Sequence, residues 1–254
     1  MWGVARLLLI WSLSANAATP RLTLCHEEWE PYAKSDKGGS VGITIELVSQ
    51  ALANLGFQTK FTETSYIRCQ RQVMNGEMDG MLFVNADELP AWPHTSVATE
   101  HWMIAAWVRD SSSLRSFSTL DVFRGQRVGR AVGYEWPSVL RRQKGWTVVV
   151  AGDGRHVLYS LSNGRVDVVF EDTIWGDQVQ RRDRLNIRVL LPAVVSEPQV
   201  MLFQKKHAAL VRDLDRELAK LLTDGSFDQV YRKHTGKDFR TWLQIGQQHG
   251  NAGR

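Results

Sequence analysis

The sequence predicts an α/β protein of two similar lobes that face each other across a cleft. Two observations carry that expectation. First, Cys69–Val84 (CQRQVMNGEMDGMLFV) and His156–Glu171 (HVLYSLSNGRVDVVFE) follow one plan: an amphipathic helix, Asn-Gly, two residues, then Asp and a short apolar run. Asn-Gly supplies the left-handed exit that ends a helix, and an apolar run too short for a helix suits a parallel strand buried on both faces. Second, the copies lie roughly ninety residues apart, the spacing expected when one small lobe repeats another and leaves a cleft between them.

Residues 1–17 stand outside this plan. Arg6 precedes the apolar run Leu7–Leu13, and Ala15-Asn16-Ala17 supplies small residues for cleavage, the pattern of a secretory signal peptide. The run is far shorter than the ~20 residues a membrane span needs. From Ala18 onward the chain is long enough for two small domains with real cores. The full sequence carries a mild net charge of +4, and its basic pairs (Arg141-Arg142, Arg181-Arg182, Lys205-Lys206) are scattered, without the dense stripe nucleic acid demands. Cys25 and Cys69 are the only cysteines. Export favours a disulfide over two separate buried thiols, since Cys25 ends the first strand and Cys69 opens the helix before the third.

In order, Arg21–Cys25 alternates as a strand, and the turn HEEWEPY displays Trp29, Pro31 and Tyr32. Aromatics on such a loop serve either a cleft or a local cap on the sheet edge. Ile45, Val48, Leu52 and Leu55 recur at helical spacing over Thr44–Asn54, and Gly56 stops that helix. A strand Gln58–Thr62, then Tyr66, a helix Ile67–Asn75 and the buried strand Gly80–Val84 follow. The irregular stretch Asn85–His101 reads as a cleft-side loop approaching a hinge. Beyond a strand Trp102–Arg109 and a polar linker Ser111–Ser118 come a helical turn Leu120–Phe123, a strand Arg127–Ala131, a helix Glu135–Gln143 and a strand Thr147–Val150. The second Asn-Gly unit completes that lobe. A strand Asn186–Leu191, a Pro192–Pro198 segment and Val200–Phe203 carry the chain back. Leu210, Leu214, Leu218 and Leu221 form a helical ridge, Phe227, Val230 and Tyr231 mark a second short helix, and Gln247–Arg254 is expected to fray. The implied division is a signal peptide 1–17, lobe 1 over 18–101 and again over 199–254, and lobe 2 over 102–198. Crossings are expected near Glu100–Trp102 and Ser196–Val200.

The order and spacing of these pieces resemble the family 3 extracellular solute-binding proteins, the polar amino-acid-binding group of bacterial ABC transport systems. The likeness spans nearly the whole chain after the signal peptide. It rests on the aromatic-Pro-aromatic turn Trp29–Tyr32, on VGITIELVSQALANLG, NGEMDG, FRGQRVGRAVGY and NGRVDVVFED, and on the terminal DGSFDQVYRKHTG. Cys25 and Tyr66-Ile67-Arg68-Cys69 are similar to a divergent branch with a cysteine pair, which strengthens the disulfide. The resemblance implies a type II periplasmic binding fold, each lobe a mixed, mostly parallel sheet flanked by helices, with two hinge crossings. It implies a periplasmic monomer that captures a small polar solute, an amino acid or related compound, for an inner-membrane ABC permease or a sensor, with no cofactor, metal or nucleic acid.

Counting five residues on from Asp167 places Asp172 where the family's acidic residue meets a ligand ammonium; its plain reading is an N-cap for the next helix. Gly133-Tyr134 occupies a turn whose amides would seat a carboxylate, although Tyr replaces the usual Thr. After Val84 the chain reads NADELPAW from Asn85, without the family's Thr-x-x-Arg clamp, so Arg68 is a candidate substitute carboxylate ligand or simply a surface residue. Trp29, Tyr32, Tyr66 and Asn85 complete the candidate ligand-binding set. An alternative class is enzymatic, because cyclohexadienyl dehydratases are similar to this fold, and Glu30, Glu100, Glu171 and Asp172 are candidate acids. His26, Glu27 and Glu28 are adjacent rather than convergent and lack a metal-site spacing.

Overall fold

The computed structural model describes residues 19–247 other than 88, 133 and 135, and of residues 245–247 only the backbone. The expected signal peptide, Gly133 and the expected frayed end beyond Gln247 lie outside the described residues.

The chain opens with β1 (Arg21–His26), an exposed hairpin of β2 (Lys34–Asp36) and β3 (Gly39–Val41), then α1 (Ile43–Asn54), β4 (Gln58–Glu63), α2 (Tyr66–Met74) and β5 (Gly80–Asn85). β6 (Glu100–Arg109) leads through a 3-10 turn at Leu120–Phe123 to β7 (Arg127–Ala131), α3 (Ser138–Arg141), β8 (Thr147–Ala151), α4 (Gly154–Ser162), β9 (Val168–Asp172) and α5 (Thr173–Asp183). The long β10 (Ile187–Phe203) returns to α6 (Ala208–Thr223), α7 (Ser226–Thr235) and α8 (Phe239–Gln247). Eight strands make one sheet in the order β4-β1-β5-β10-β6-β9-β7-β8. Parallel triplets stand at its two ends, and the antiparallel β10 and β6 join them. The result is the expected two-lobed, mixed and mostly parallel α/β architecture.

The repeated unit has a common physical basis. Gly76 (φ 85°) and Gly164 (φ 71°) take the left-handed conformation at the ends of α2 and α4, where a side chain would be strained. The Asp that follows each Asn-Gly ties its strand to the neighbouring parallel one. Asp79 accepts from the Thr23 amide at 2.9 Å and Asp167 from the Arg127 amide at 3.0 Å. Burial pushes Asp79 upward, yet the Thr23 amide, His207 and Lys206 bring it down to about 2. The Arg127 guanidinium likewise holds Asp167 well below the ordinary carboxylate range. β5 and β9, the apolar runs that follow, are buried along nearly their whole length.

Three expectations need correction. The helix expected over Glu135–Gln143 is only the turn Ser138–Arg141, because Pro137 stays extended (ψ 152°) and disfavours helix in the residue before it. The three pieces expected between Asn186 and Phe203 form the single strand β10. A register shift between Leu190 and Val195 accommodates Pro192 without ending the ladder. The buried stripe of α6 is Val211, Leu214, Leu218 and Leu221, with Leu210 only partly buried; each fully buried member contributes roughly 1.5–3 kcal/mol. This stripe packs with α1, α7 and α8 to form the larger core, whereas the second lobe packs on the two faces of its own sheet.

Cys25 and Cys69 are bridged, with their Cα atoms 5.6 Å apart, and sit among Val73, Met81, Val84 and Leu202. The bridge spans 44 positions of the chain, which in the chain-entropy picture stabilises by at most about 4 kcal/mol. The double variant Cys25→Ala/Cys69→Ala is expected to unfold at clearly lower denaturant; an unchanged midpoint would remove the bridge from the list of stabilising features.

Candidate functional site

The seam between the lobes forms where β9 ends and α5 begins. Asp172 closes β9 opposite Ile104 and caps α5: Oδ1 accepts from the amides of Ile174 (2.9 Å) and Trp175 (2.7 Å). The plain reading of this residue is therefore satisfied by one oxygen. The other, Oδ2, is buried without a hydrogen-bond partner. The Met103 amide lies near enough to favour its charge but makes no hydrogen bond of normal geometry with that oxygen.

Ile174, the first buried apolar residue of α5, enters the core of the first lobe and belongs to one cluster with Tyr32, Phe83, Met103 and Tyr231. That contact brings first-lobe groups to the seam. Tyr32 is fully buried, its ring 4.6 Å from Trp29 and 6.4 Å from Tyr231, and its hydroxyl has no partner. Glu100, at the start of β6, is also fully buried; Thr44 Oγ1 donates a short hydrogen bond to its Oε2, and Oε1 is unpartnered. Tyr231 donates to the Thr99 carbonyl at 2.8 Å. Phe83 meets Trp29 edge-on at 5.0 Å and holds a positive φ of 64°, a strained conformation of the kind that concentrates at functional sites.

The remaining candidates divide. Tyr134 is partly exposed, edge-on to Trp102 at 6.5 Å, and its hydroxyl pKa is raised by burial and by Glu171, Glu27, Asp153 and Asp172. It therefore shares the acidic surroundings of Asp172. Asn85 donates to Glu197 at 3.0 Å and accepts from Gln199, tying β5 to β10. Tyr66 packs beside the disulfide, in a different cluster from Tyr32, and Arg68 is exposed on α2. A cavity of about 250 Å³ opens between the two lobes, lined by Glu30, Pro31, Lys34, Val41, Gly42, Gln178 and His234. Asp172 and Glu100 are not in its lining. Beside it Arg182 of α5 reaches Glu30 across the seam at 2.9 Å, a partly exposed pair worth at most about 1 kcal/mol.

The electrostatics of the seam are one-sided. Burial raises Glu100 to about 8, Glu171 to about 8 and Asp172 to about 7. Neighbouring Asp172 and Glu27 push Glu171 further, although it accepts from the Asp172 amide. Glu100 and Tyr231 were legible in the sequence only as a candidate acid at a crossing and as a core aromatic. The signal that marks Tyr231 is a tyrosine in a stripe otherwise filled by Phe227 and Val230, since a buried hydroxyl demands a partner. Among the described residues no group of three or more His, Cys, Asp or Glu is placed to hold a metal ion.

Comparison with solved structures places this architecture. A probable amino-acid ABC transporter extracellular-binding protein from Bacillus subtilis superposes with TM-score 0.75 at 15% identity, over 86% of this chain and 99% of that one. An ancestral arginine-binding protein bound to glutamine gives TM-score 0.68 at 20% identity, covering 85% and 98%. A histidine kinase sensor domain with similarity to periplasmic binding proteins gives 0.70 at 18%, covering 86% and 98%. The chain thus has the type II periplasmic binding protein fold, and the resemblance expected from its sequence holds at the level of fold. No protein-family model and no curated relative matches it. No helix among the described residues is long and apolar enough to cross a membrane.

Folding raises the three seam carboxyls above their unfolded values, so above about pH 5 the folded chain holds more protons than the unfolded one, and stability falls as pH rises through 7 to 8. Burial lowers His101 to about 4 and lowers His26 as well, an opposite effect that is complete once unfolded histidines are neutral. Between about pH 7 and 9 the unfolding free energy is expected to drop by about 1 kcal/mol for each of Glu100 and Glu171 and by less for Asp172, which loses most of its proton below pH 8. Glu100→Gln should flatten that slope in denaturant titrations, and an equal slope in the variant would place the titration elsewhere.

Proposed function

We propose that this chain is an exported solute-binding protein whose lobes close over a small polar solute, an amino acid or related compound. The observation that carries the reading is Asp172: one oxygen caps α5, while the other stands buried and unpartnered where two lobes meet. A ligand amine is the group such an oxygen recognises, and an ion pair inside a closed cleft outweighs one on a surface. Trp29 and Tyr32 supply the aromatic wall and Tyr134 the far side. The periplasm, a monomeric state, and delivery to an inner-membrane permease or a sensor belong to the same reading; the fold occurs in proteins of both kinds.

Lobe 1 comprises 18–101 and 199–254, and lobe 2 comprises 102–198. β10 supports this division by changing partner at Gln199, which pairs with both Glu100 and Asn85. The two crossings then lie side by side, a geometry suited to hinge bending. An enzymatic reading on the same fold is favoured only by the raised pKa of Glu171 and of Glu100, which would keep a general acid protonated near neutral pH. Turnover of a cyclohexadienyl substrate such as prephenate, lost in Glu171→Gln, would establish it.

A thermal-shift screen against amino acids, amines and aromatic acids tests the binding reading, since a ligand at a hundred times its dissociation constant stabilises by about 2.7 kcal/mol. The stabilising solute is expected to contract the solution scattering profile, and identical profiles would argue against closure. With an amine-bearing ligand, Asp172→Asn keeps the cap and should lose roughly tenfold or more in affinity at an unchanged or higher melting temperature. Unchanged affinity would leave Asp172 as a cap alone.

A further inference from the structure

Three oxygens of titratable side chains in the buried seam lack a hydrogen-bond partner: Tyr32 Oη, Glu100 Oε1 and Asp172 Oδ2. Their residues are at most 1% exposed. They share one electrostatic neighbourhood, because the Tyr32 hydroxyl is raised by burial and then by Asp172, Tyr231 and Glu100. Two nearby hydroxyls are committed elsewhere, Thr44 to Glu100 Oε2 and Tyr231 to the Thr99 carbonyl, while Thr99 Oγ1, near enough to favour the Glu100 charge, and Thr173 Oγ1 make no hydrogen bond of normal geometry and carry no charge to offer. Among the described residues no Lys, Arg or His forms an ion pair with Glu100, Glu171 or Asp172.

Buried polar atoms are nearly always partnered, and a buried carboxylate without a cation is costlier than an unpartnered neutral group. A primary ammonium answers both needs, with one positive charge and three N–H donors. A ligand carboxylate, in contrast, would meet Glu27, Glu171 and Asp172 here, while the one arginine considered as its partner, Arg68, is exposed on α2. Trp29, Tyr32 and Phe83 form an aromatic wall against which an alkyl chain can pack.

We propose, resting on the solute-binding reading, that the seam selects a primary alkylammonium compound that carries no carboxylate, its N–H groups donating to Asp172 Oδ2, Glu100 Oε1 and Tyr32 Oη. Opening of the lobes admits it, and closing exchanges it for protons. At neutral pH burial leaves a share of the Glu100 and Asp172 carboxyls protonated. The incoming cation stabilises the carboxylates, and the released protons pass to the buffer. The groups that face this exchange are Tyr32 and Tyr231 from the first lobe, Glu171 and Tyr134 from the second, and Glu27 across the seam. His101, next to Glu100 on β6, is held neutral by its burial and contacts Ser196.

Titration calorimetry with 1,4-diaminobutane and butylamine as probes, in phosphate and in Tris near pH 7, tests the proposal on the intact disulfide-bonded protein. Expected are amine binding, an apparent heat that differs between the buffers by the proton release, and affinity that rises between about pH 6 and 8. Tetramethylammonium, which has the charge and no N–H, and butane-1,4-diol, which has no charge, should bind at least roughly tenfold more weakly. Glu100→Gln should lower diaminobutane affinity and the buffer dependence together. Equal binding of tetramethylammonium, or buffer-independent heats, would overturn the donor and exchange roles even if Glu100→Gln fails to fold. Closure around glutamine or another amino acid with no response to either amine would overturn this ligand class and leave the solute-binding reading standing; closure around no solute in the wider screen would sink both.

Discussion

The antiparallel pairing of β6 with β10 is the constraint on which the molecule depends. Each lobe contributes a parallel triplet, and parallel strands need crossover connections, so neither triplet can reach the other by a hairpin. Only the ladder from Ile187–Arg109 to Gln199–Glu100 runs through the middle of the sheet and belongs to both lobes. Its interruption between Leu190 and Val195 admits Pro192 and leaves the hydrogen bonds on either side intact. Glu100 stands at one end of this ladder and Asp172 faces Ile104 along it, so on the proposed hinge-closing reading movement of the joint and solvation of the carboxyls would be one event.

That coupling explains how such costly side chains can persist. A carboxylate fully removed from water and left unpaired is among the most destabilising features a fold can carry. On the proposed solute-binding reading the cost would apply only when the lobes are shut, since the seam is where they would part. The two lobes themselves are stabilised elsewhere: by the α1, α6, α7 and α8 core, by the bridge of Cys25 to Cys69, and by Asp79 and Asp167. The strained Phe83, set against Trp29 at the same seam, follows the same pattern of strain supported by its surroundings.

What the sequence made legible was local. Asn75-Gly76 and Asn163-Gly164 announce helix ends because only glycine tolerates the conformation needed, and the apolar runs after Asp79 and Asp167 are too short to be anything but strand. The pairing of Asp79 with Thr23, 56 positions away, is invisible to any local pattern. The same holds for Thr44 with Glu100. β10 was obscured because Pro192 and Pro198 read as breaks in a chain that the joint holds extended. The β2–β3 hairpin has no apolar alternation, being almost wholly exposed. Tyr32 could be placed on the turn after β1, but its complete burial depends on Tyr231, which arrives nearly two hundred residues later.

On the proposed solute-binding reading, Asp172 shows why a site residue and a structural residue need not be alternatives. Ser, Thr or Asn would cap α5 as well as Asp does and would place no charge in the seam. An aspartate at this position makes two cap bonds with one oxygen and leaves its second oxygen, with half the charge, facing the first lobe. The helix N-terminus lowers the cost of that anion through its dipole, which is the direction in which the Ile174 and Trp175 amides act, though burial outweighs them. The carboxyl is thereby poised near neutrality rather than locked in either state. On the proposed reading a group so poised would change its charge in response to a solute entering the seam, and a cap built from a neutral side chain would have no such response.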